Sequence, residues 1–300
     1  MPTTGDDTRY RPGDDPGPGV LVTGGTGKVG RELVTLLRGH GVPVRVASRA
    51  PVAEDPDSVP FDWFDRGTHA AALDGQDRIF LVTPPNSADP ADPVIPFLDE
   101  AHRRGVRTVV LLSSAVPLQP RAPELAARVR DQSGGIVLRP SGFMQNFLSP
   151  HPVGRQILRD GEIRTASGAG RMGWIDLRDI AACAAALLLA DRAAPQADQR
   201  DYLLTGPRTL SYVEAAAIIS ATAAKPVRVV HTDEEALAAD LQTVGFSAEF
   251  AAIYARAEAG ARSGRDDVVS TAVPDLTGRP ARTFEQFVRD HAAGWSTAAA

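Results

Sequence analysis

The feature that most constrains the fold is the stretch VLVTGGTGKVGRELVTLL at residues 20–37, where an apolar run leads through spaced glycines into a helical pattern. A parallel strand that runs directly into a helix leaves the first amide groups of that helix unpaired, at the positive end of its dipole, and an anion fits there. Gly24 can adopt a backbone angle closed to other residues, Gly27 lets a pyrophosphate approach, and Gly30 lets the helix pack closely. The stretch therefore predicts a dinucleotide-binding turn.

A nucleoside-triphosphate loop is the competing phosphate motif, and it requires Ser or Thr after the lysine. Val29 follows Lys28 here, which disfavours that motif. A tight turn without any ligand is the other alternative, and three glycines in register after a buried strand make it the weaker one.

The end of the second predicted strand selects the cofactor. An acidic residue there binds the ribose hydroxyls of NAD, whereas a basic residue accepts the 2′-phosphate of NADP. The sequence VRVASRAP places Ser48 and Arg49 at this point, and no carboxylate follows before Glu54. The sequence therefore predicts NADPH as the cofactor.

Apolar runs alternate with helical patterns through the first two thirds of the chain, as in GVLVTG, VPVRVAS, DRIFLVT, RTVVLLSS and GGIVLRP. Helices are predicted at 28–40, 94–105, 121–133 and about 177–190, and a further strand at 201–206. This rhythm predicts an α/β fold, a Rossmann-type doubly wound parallel sheet with a smaller, discontinuous α+β substrate-binding cap. The expected boundaries are a disordered tail at 1–18, a cofactor domain at 19–140 plus 176–206, a substrate-binding region at 141–175 plus 207–295, and a tail at 296–300.

Composition narrows the class of function. A net charge of −5 without a basic cluster argues against nucleic acid and anionic membranes as partners, so a small molecule is favoured. The single Cys183 lies in an apolar stretch shorter than a membrane span, and we expect a buried, inert thiol in a reducing, cytoplasmic protein. The six histidines are scattered without ligand spacing, so no metal is expected. The 32 basic residues include only two lysines, Lys28 and Lys225, which is typical of a GC-rich bacterial coding sequence.

The chain resembles the NmrA-like group of atypical short-chain dehydrogenases. The resemblance rests on LVTGGTGKVG, FLVTPP, VVLLSSA, LRPSGFMQNFL, GWIDLRDIAACAAALL and YLLTGPRTLSYVEAAAIIS, which span most of the chain. That family comprises NAD(P)H-dependent quinone and dye reductases, reductases of enones, imines and benzylic ethers, and regulators that bind the cofactor without turning it over.

The resemblance also implies roles for individual residues. Arg49 would meet the 2′-phosphate beside Ser48, and Asp62 the adenine edge. The pyrophosphate would be lined by Gly24, Thr26, Gly27, Lys28, Val29 and Gly30, the nicotinamide ribose by Thr83 and Pro84, and the nicotinamide by Pro140, Gly142 and Phe143.

The chain departs from short-chain dehydrogenases in its proton donor. Those enzymes protonate a carbonyl with a Tyr-x-x-x-Lys pair, yet the four residues that follow Tyr10, Tyr202, Tyr212 and Tyr254 at this spacing are Asp14, Gly206, Ala216 and Glu258. A quinone accepts hydride to give an anion about as basic as a phenolate, with a pKa of about 10, which solvent can protonate. Quinone reduction therefore tolerates the missing pair.

Candidate substrate contacts follow two predicted strands. We expect catalytic donors at Ser113, Ser114, Gln145 and Asn146, and a substrate-binding wall of Phe143, Met144, Phe147 and Trp174. Capping is the alternative for the serines, and core packing is the alternative for Phe147. Asp176 is placed to cap the helix after it, and His151 is expected on the surface.

Three functions remain open. The first is an NADPH-dependent reductase of a quinone or similar flat conjugated acceptor, set in bacterial aromatic polyketide metabolism and serving a two-component hydroxylation with a separate small partner enzyme. The second is a non-catalytic NAD(P) sensor, and the third is an imine, enone or ketone reductase with an unrecognised donor. The oligomeric state stays open, a homodimer included.

Overall fold

A computed structural model describes residues 19–84, 89–116, 118–119, 121–190 and 200–295. Within these residues, the strands are β1 (Gly19–Thr23), β2 (Val44–Ser48), β3 (Ser58–Pro60), β4 (Gln76–Val82), β5 (Thr108–Leu112), β6 (Gly135–Pro140), β7 (Glu162–Thr165), β8 (Arg171–Met172), β9 (Asp201–Leu204), β10 (Leu210–Ser211) and β11 (Arg228–His231). Seven of these described strands form one parallel sheet in the order β3-β2-β1-β4-β5-β6-β9. The strand order reverses between β1 and β4, where open α/β sheets bind ligands at the carboxyl ends of their strands.

The helices are α1 (Lys28–Gly39), α2 (His69–Leu73), α3 (Ala91–Arg103), α4 (Ala122–Asp131), α5 (Pro152–Asp160), α6 (Leu177–Leu189), α7 (Tyr212–Thr222), α8 (Glu234–Thr243), α9 (Ala248–Gly260), α10 (Ala272–Thr277) and α11 (Phe284–Asp290). Short 3₁₀ turns lie at Arg66–Thr68, Met144–Phe147, Ala261–Ser263 and Ala292–Trp295.

Both faces of the sheet are buried under helices. In β1, Val20 and Val22 pack with α1 and α6, whereas Leu21 between them packs with α3 and α4 on the opposite face. The alternation follows from the two-residue period of a strand, and burial on both faces explains why these strands read as continuous apolar runs. The Rossmann-type architecture predicted from the sequence is confirmed.

A second body of structure covers the carboxyl ends of β5 and β6. Its core holds Phe147, Trp174, Tyr212 and Phe284, and Phe147 contacts the other three rings with centroid separations of 4.9, 5.7 and 4.9 Å. Such edge contacts stabilise a core beyond their buried area. The β7–β11 pair, α5, α7 and α11 surround this core, and α8 pairs with α9 beside it.

The predicted helices and strands are found close to their expected positions, whereas several short elements were not predicted. The strand β3 was not predicted, because three residues ending in Pro60 carry too short a pattern. Ala272, Val273 and Ala281 belong by sequence to the predicted cap, but they pack with α6 in the core of the sheet. The predicted tails at 1–18 and 296–300 lie outside the described residues.

Candidate active site

The turn between β1 and α1 has the backbone that the glycine spacing predicts. Gly24 has a φ of +62°, in the left-handed region that favours glycine. A Cβ at Gly30 would collide with the Gly24 carbonyl oxygen and lie 2.8 Å from the Cα of Gly25. Gly25, which the sequence analysis did not single out, has the same constraint, because its Cβ would lie 2.7 Å from Cγ1 of Val46. Helix, turn and β2 thus approach more closely than side chains would allow.

Gly27 differs from these glycines. Its backbone is extended, with a φ of −75°, and within 4 Å its Cβ would meet only the Gly24 carbonyl oxygen, at 3.0 Å. Gly27 directly precedes α1, is exposed, and lies where the first amides of the helix point outward. Packing therefore constrains Gly27 through one backbone oxygen only, and the solvent side of the residue is open to a ligand. The turn therefore fits the pyrophosphate of a dinucleotide.

The remaining predicted pyrophosphate contacts are of two kinds. Thr26 and Lys28 are exposed at the start of α1, and partial burial lowers the pKa of the Lys28 ammonium. Val29 is 5% exposed and packs in the core, so only its backbone faces the turn. Thr23, which sequence analysis missed, holds the switch point together because its hydroxyl accepts from the Val82 amide at 2.7 Å.

Arg49, which is predicted to bind the 2′-phosphate, is accessible to an anion. Arg49 follows β2, is exposed, and has no hydrogen bond or ion pair within the described ranges. Ser48 beside it closes a local turn with Ala50, whose amide donates to the Ser48 hydroxyl at 3.2 Å. Asp62 lies beyond β3, and its Oδ1 accepts from the Phe64 amide at 2.9 Å, which leaves the other carboxylate oxygen without a partner among the described residues.

A small cavity of about 200 Å³ lies at the carboxyl ends of β4 and β5. Thr83, Ser113, Ser114 and Phe143 line it together, whereas Pro84 is buried. The Ser113 amide donates to the Leu138 carbonyl at 2.8 Å and so belongs to the sheet ladder. Two of the predicted nicotinamide contacts, Thr83 and Phe143, therefore lie beside the predicted donors Ser113 and Ser114. The second proline of FLVTPP, residue 85, lies outside the described residues.

A larger cavity of about 420 Å³ lies between the sheet and the second body of structure. Ser114 and Phe143 line both cavities, so the two adjoin at these residues. The sheet side of the large cavity is formed by Ser114, Pro140, Ser141, Gly142 and Phe143, and the opposite side by Asn146, Met172, Trp174, Tyr212, Tyr254 and Glu258. Gly142 is explained by packing, because its Cβ would collide with Met172 and lie 2.5 Å from the Trp174 ring.

A chain of three titratable side chains borders this large cavity. The Tyr212 hydroxyl is close to the Glu258 carboxyl and to the Tyr254 hydroxyl. The Thr165 hydroxyl donates to Glu258 Oε1, and the Ala166 amide donates to the same oxygen at 3.1 Å. Burial raises the pKa of Glu258 to about 7 against the lowering effect of these hydrogen bonds. Sequence analysis noted Glu258 four residues after Tyr254 but sought a lysine there.

Three predicted substrate contacts are wrong. Gln145 is buried, and both ends of its amide have a partner within the protein, since Nε2 donates to Asp176 Oδ1 at 3.1 Å and Oε1 accepts from the Leu177 amide at 3.1 Å. Met144 and Phe147 are 1% and 0% exposed and pack in the core of the second body, not along the cavity. Trp174 does line the cavity, and its indole N–H donates to the Leu210 carbonyl at 3.1 Å.

Other charged and polar side chains near the site have structural roles. Asp176 caps α6 as expected, accepting from the Arg178 amide at 2.9 Å. His151 is half-buried, in contrast to the expected surface position, and burial together with the Lys28 charge lowers its pKa to about 4. Burial raises the pKa of the Cys183 thiol to about 12, which makes it inert at neutral pH. Among the described residues no group of three potential metal ligands occurs.

Comparison with known proteins identifies the family. Residues 24–189 match the NAD(P)H-binding family. The chain belongs to this family. It is 38% identical over 282 residues to an uncharacterised oxidoreductase, YesF, of Bacillus subtilis, with 93% of this chain and 96% of that protein covered. It is 34% identical to an NAD(P)H azoreductase of Xenophilus azovorans, with 93% and 100% covered.

A solved structure gives the same fold. The NADPH-dependent quinone oxidoreductase of Escherichia coli, complexed with NADPH, superposes with a TM-score of 0.73 at 22% identity, covering 90% of this chain and 99% of the other. The resemblance to NmrA-like atypical short-chain dehydrogenases is confirmed, and the protein is an NAD(P)H-dependent oxidoreductase. No helix of the described residues is long and apolar enough to cross a membrane.

Proposed function

We propose that this oxidoreductase uses NADPH to reduce a quinone or a similar flat conjugated acceptor. The observation that carries the proposal is the cavity of about 420 Å³ beside the carboxyl ends of β5 and β6. Its volume falls in the range of small-molecule sites. Phe143, Met172 and Trp174 give it apolar and aromatic walls, which suit a planar ring system. The names of the azoreductase and quinone oxidoreductase relatives describe acceptors of this conjugated kind.

The cofactor side of the proposal rests on the turn after β1 and on Arg49. The Arg49 guanidinium is exposed and has no partner among the described residues, and it favours NADPH over NADH because a charge-assisted hydrogen bond to a phosphate is stronger than one to a hydroxyl. Gly27 and the first amides of α1 would hold the pyrophosphate, with Lys28 beside them. When bound, NADPH supplies the hydride that reduces the acceptor.

Two side chains of the cavity are free to bind the acceptor. The Ser114 oxygen accepts from the Val116 amide at 3.3 Å, which leaves its hydroxyl hydrogen for an oxyanion. The Asn146 side chain lines the cavity and has no hydrogen bond within the described part of the chain. Both can therefore orient a carbonyl oxygen of the acceptor and stabilise the negative charge that develops there.

The biological setting is the finer part of the proposal and rests on the sequence. A GC-rich bacterial composition fits aromatic polyketide metabolism in the cytoplasm. A reduced polycyclic quinone reacts with oxygen, so the enzyme would serve as the reductase of a two-component hydroxylation with a separate small enzyme. We further propose a homodimer as the assembly to test by light scattering.

A second candidate function is favoured by the Tyr212–Glu258–Tyr254 chain. Reduction of an enone, imine or ketone creates an anion or amine that requires a proton, and these three side chains border the cavity. A non-catalytic sensor has no need of such a chain.

The test is NADPH oxidation with a panel of naphthoquinones, anthraquinones, enones and imines, in anaerobic and aerobic buffer. We expect turnover with quinones, and oxygen dependence with polycyclic quinones would support the hydroxylation setting. Turnover with enones or imines alone would favour the second candidate. Tight NADPH binding without transfer to any acceptor would refute both and leave the sensor.

A matched pair of valines tests the location of the acceptor. Val268 lines the cavity and is 45% exposed, whereas Val213 is 51% exposed on α7 and does not line it. Val268→Asp should raise KM for a quinone about tenfold, because burying a valine against a ligand is worth about 1.5 kcal/mol. Val213→Asp should leave KM unchanged, and equal effects of both changes would refute this placement.

A further inference from the structure

Three titratable side chains line the large cavity side by side, an arrangement that a quinone reductase protonated by solvent does not need. Tyr254 is the half-buried end of this path, Tyr212 the middle, and Glu258 the inner end at 8% exposure. Tyr212 begins α7, whereas Tyr254 and Glu258 lie one turn apart on α9, so both α9 side chains project on one face toward Tyr212. All three line the cavity together with Ser114 and Phe143.

We propose that Tyr254 donates the proton that completes reduction of the acceptor, and that Glu258 replaces this proton through Tyr212. The inference deepens the proposed function, on which it rests. Tyr254 is the catalytic residue in this scheme, because it is the most exposed of the three side chains that line the cavity. Tyr212 and Glu258 act through it.

The proton balance of the reaction closes without another reactant. Reduction of one acceptor consumes one hydride from NADPH and one proton. The Tyr254 O–H bond breaks as an O–H, N–H or C–H bond forms on the reduced acceptor. In the same step Tyr212 passes its proton to the Tyr254 oxygen, and the protonated Glu258 carboxyl passes its proton to the Tyr212 oxygen. Glu258 is left as a carboxylate and takes a proton from water before the next turnover.

The surroundings of the carboxyl explain why a chain is needed rather than one tyrosine. Burial and the nearby Glu258 charge raise the pKa of Tyr254, and burial raises that of Tyr212 further. Either phenol alone would therefore be a poor acid at neutral pH. Because the proton is replaced as it leaves, neither oxygen has to remain as a phenolate. The hydrogen bonds from Thr165 and Ala166 to Oε1 stabilise the carboxylate that remains on Glu258.

Among the described side chains around the relay, Glu258 is the one expected to change its charge near neutral pH. The His151 ring lies 6.2 Å from the Tyr254 ring, and with its pKa lowered to about 4 it is neutral between pH 6 and 8. Arg265 and Asp266 line the cavity mouth and pair with each other at 3.4 Å, and Arg265 also donates to the Ala257 carbonyl at 2.6 Å. Thr165 and Ser167 on the β7 side are hydroxyls that stay neutral.

The relay has a consequence for the class of acceptor. An acceptor whose reduced form is more basic than a phenolate, such as an enone or an aliphatic carbonyl, gains from a positioned acid by about 10²–10⁴-fold. A quinone gains little, since solvent protonates its reduced form. The relay thus extends the range of the enzyme to α,β-unsaturated carbonyl compounds that share the flat conjugated shape.

The variants Tyr254→Phe and Glu258→Gln test the relay, with Tyr202→Phe as a matched control. Tyr202 is a buried tyrosine of β9 whose hydroxyl has no partner within the described residues, and it lies outside the cavity. Single-turnover hydride transfer is measured from pH 5.5 to 8.5 in H₂O and D₂O, with one quinone and one enone. We expect Tyr254→Phe to slow the enone reaction about 10²-fold or more and the quinone reaction less than threefold.

The pH profile separates a relay from a structural role. Wild type should lose enone activity as the pH rises through about 7, whereas Glu258→Gln should be slow and independent of pH, with Tyr202→Phe like wild type. An unchanged profile and solvent isotope effect in Tyr254→Phe, with wild-type turnover intact, overturns the relay alone. A raised KM for a cationic imine in Glu258→Gln with an unchanged profile also overturns it and makes Glu258 a counter-ion.

An infrared titration provides a readout that does not depend on turnover. In the protein without substrate, the protonated Glu258 carboxyl should give a C=O band that disappears in Glu258→Gln and shifts in Tyr212→Phe. If Tyr212→Phe leaves the Glu258 band unshifted, Tyr212 does not interact with the carboxyl, and the proposal is overturned. If wild type reduces no acceptor while this band behaves as expected, the proposed function fails and the hydrogen-bonded chain stands without a reaction.

Discussion

Replacing Glu258 by glutamine should make the protein less sensitive to pH. The Glu258 carboxyl is 8% exposed, and burial raises its pKa from 4.5 to about 7. Between these two values the folded chain holds a proton that the unfolded chain has released. Stability then falls as the pH rises, by about 1.4 kcal/mol per pH unit, because the unfolded state binds fewer protons.

The size of the effect follows from the two pKa values. A shift of about 2.5 units corresponds to about 3 kcal/mol in total. Roughly 2.5 kcal/mol of this falls between pH 5 and 8, since at pH 5 the unfolded carboxyl is already mostly ionised. Glutamine preserves the shape and the oxygen that accepts from Thr165 and Ala166, so Glu258→Gln should fold.

Urea denaturation at pH 5, 6, 7 and 8 measures the effect as a difference between wild type and Glu258→Gln. The variant should gain about 2.5 kcal/mol relative to wild type over this range, independently of all other titrating groups that the two proteins share. Glu54→Gln is the control, because Glu54 is exposed in a loop and its replacement should give a flat difference. Parallel curves for Glu258→Gln and wild type would refute the buried position of this carboxyl.

Three further changes test the cofactor turn and the corrected residue. Arg49→Ala should weaken NADPH binding by about 1.5–3 kcal/mol and leave NADH binding unchanged in calorimetric titrations, since the proposed partner of the exposed guanidinium is the 2′-phosphate; equal losses for both cofactors would refute this assignment. Gly27→Val should abolish cofactor binding with a circular dichroism spectrum like that of wild type, because its extended backbone suits valine; normal affinity would mean that the glycine serves only the turn. Gln145→Ala should lower stability by about 1–3 kcal/mol in urea, since it removes one donor from the buried Asp176 carboxylate and leaves the Leu177 amide without its side-chain acceptor, and a changed KM at full stability would restore Gln145 to the substrate.

The cofactor half of the site could be predicted because its determinants are local in sequence. Gly24, Gly27 and Gly30 lie within one turn, and the strand before them is apolar on both faces. The end of β2 lies beside the end of β1 because consecutive parallel strands are neighbours here, so Arg49 could be placed from its position alone. Gly25 escaped notice because its constraint is the Val46 side chain of another strand.

The substrate half could not be predicted because its determinants are distant in sequence. Tyr212 and Glu258 are on different helices, and no pattern in the residues between them predicts that α7 and α9 meet at one cavity. Gln145 follows the strand end that was expected to face substrate, but a side chain of that length also reaches the cap of α6, where a buried carboxylate needs a donor. Polar residues at a strand end predict a ligand-binding site, but they do not show which of these side chains make structural hydrogen bonds instead.

The cofactor side and the substrate side of the site differ in the sign of their charges. The turn at α1 and Arg49 attract anions, whereas Glu258 as a carboxylate would place a negative charge beside the cavity where reduction creates another. The Glu258 carboxylate and the anion of the reduced acceptor repel each other in a buried site. Transfer of hydride to the acceptor therefore raises the proton affinity of both groups. In the proposed relay, a neutral Glu258 allows the new charge to be removed by transfer along Tyr212 and Tyr254, whereas an ionised Glu258 opposes reduction. The proposal therefore makes the protonation state of this carboxyl decide which acceptors the cavity reduces at a given pH.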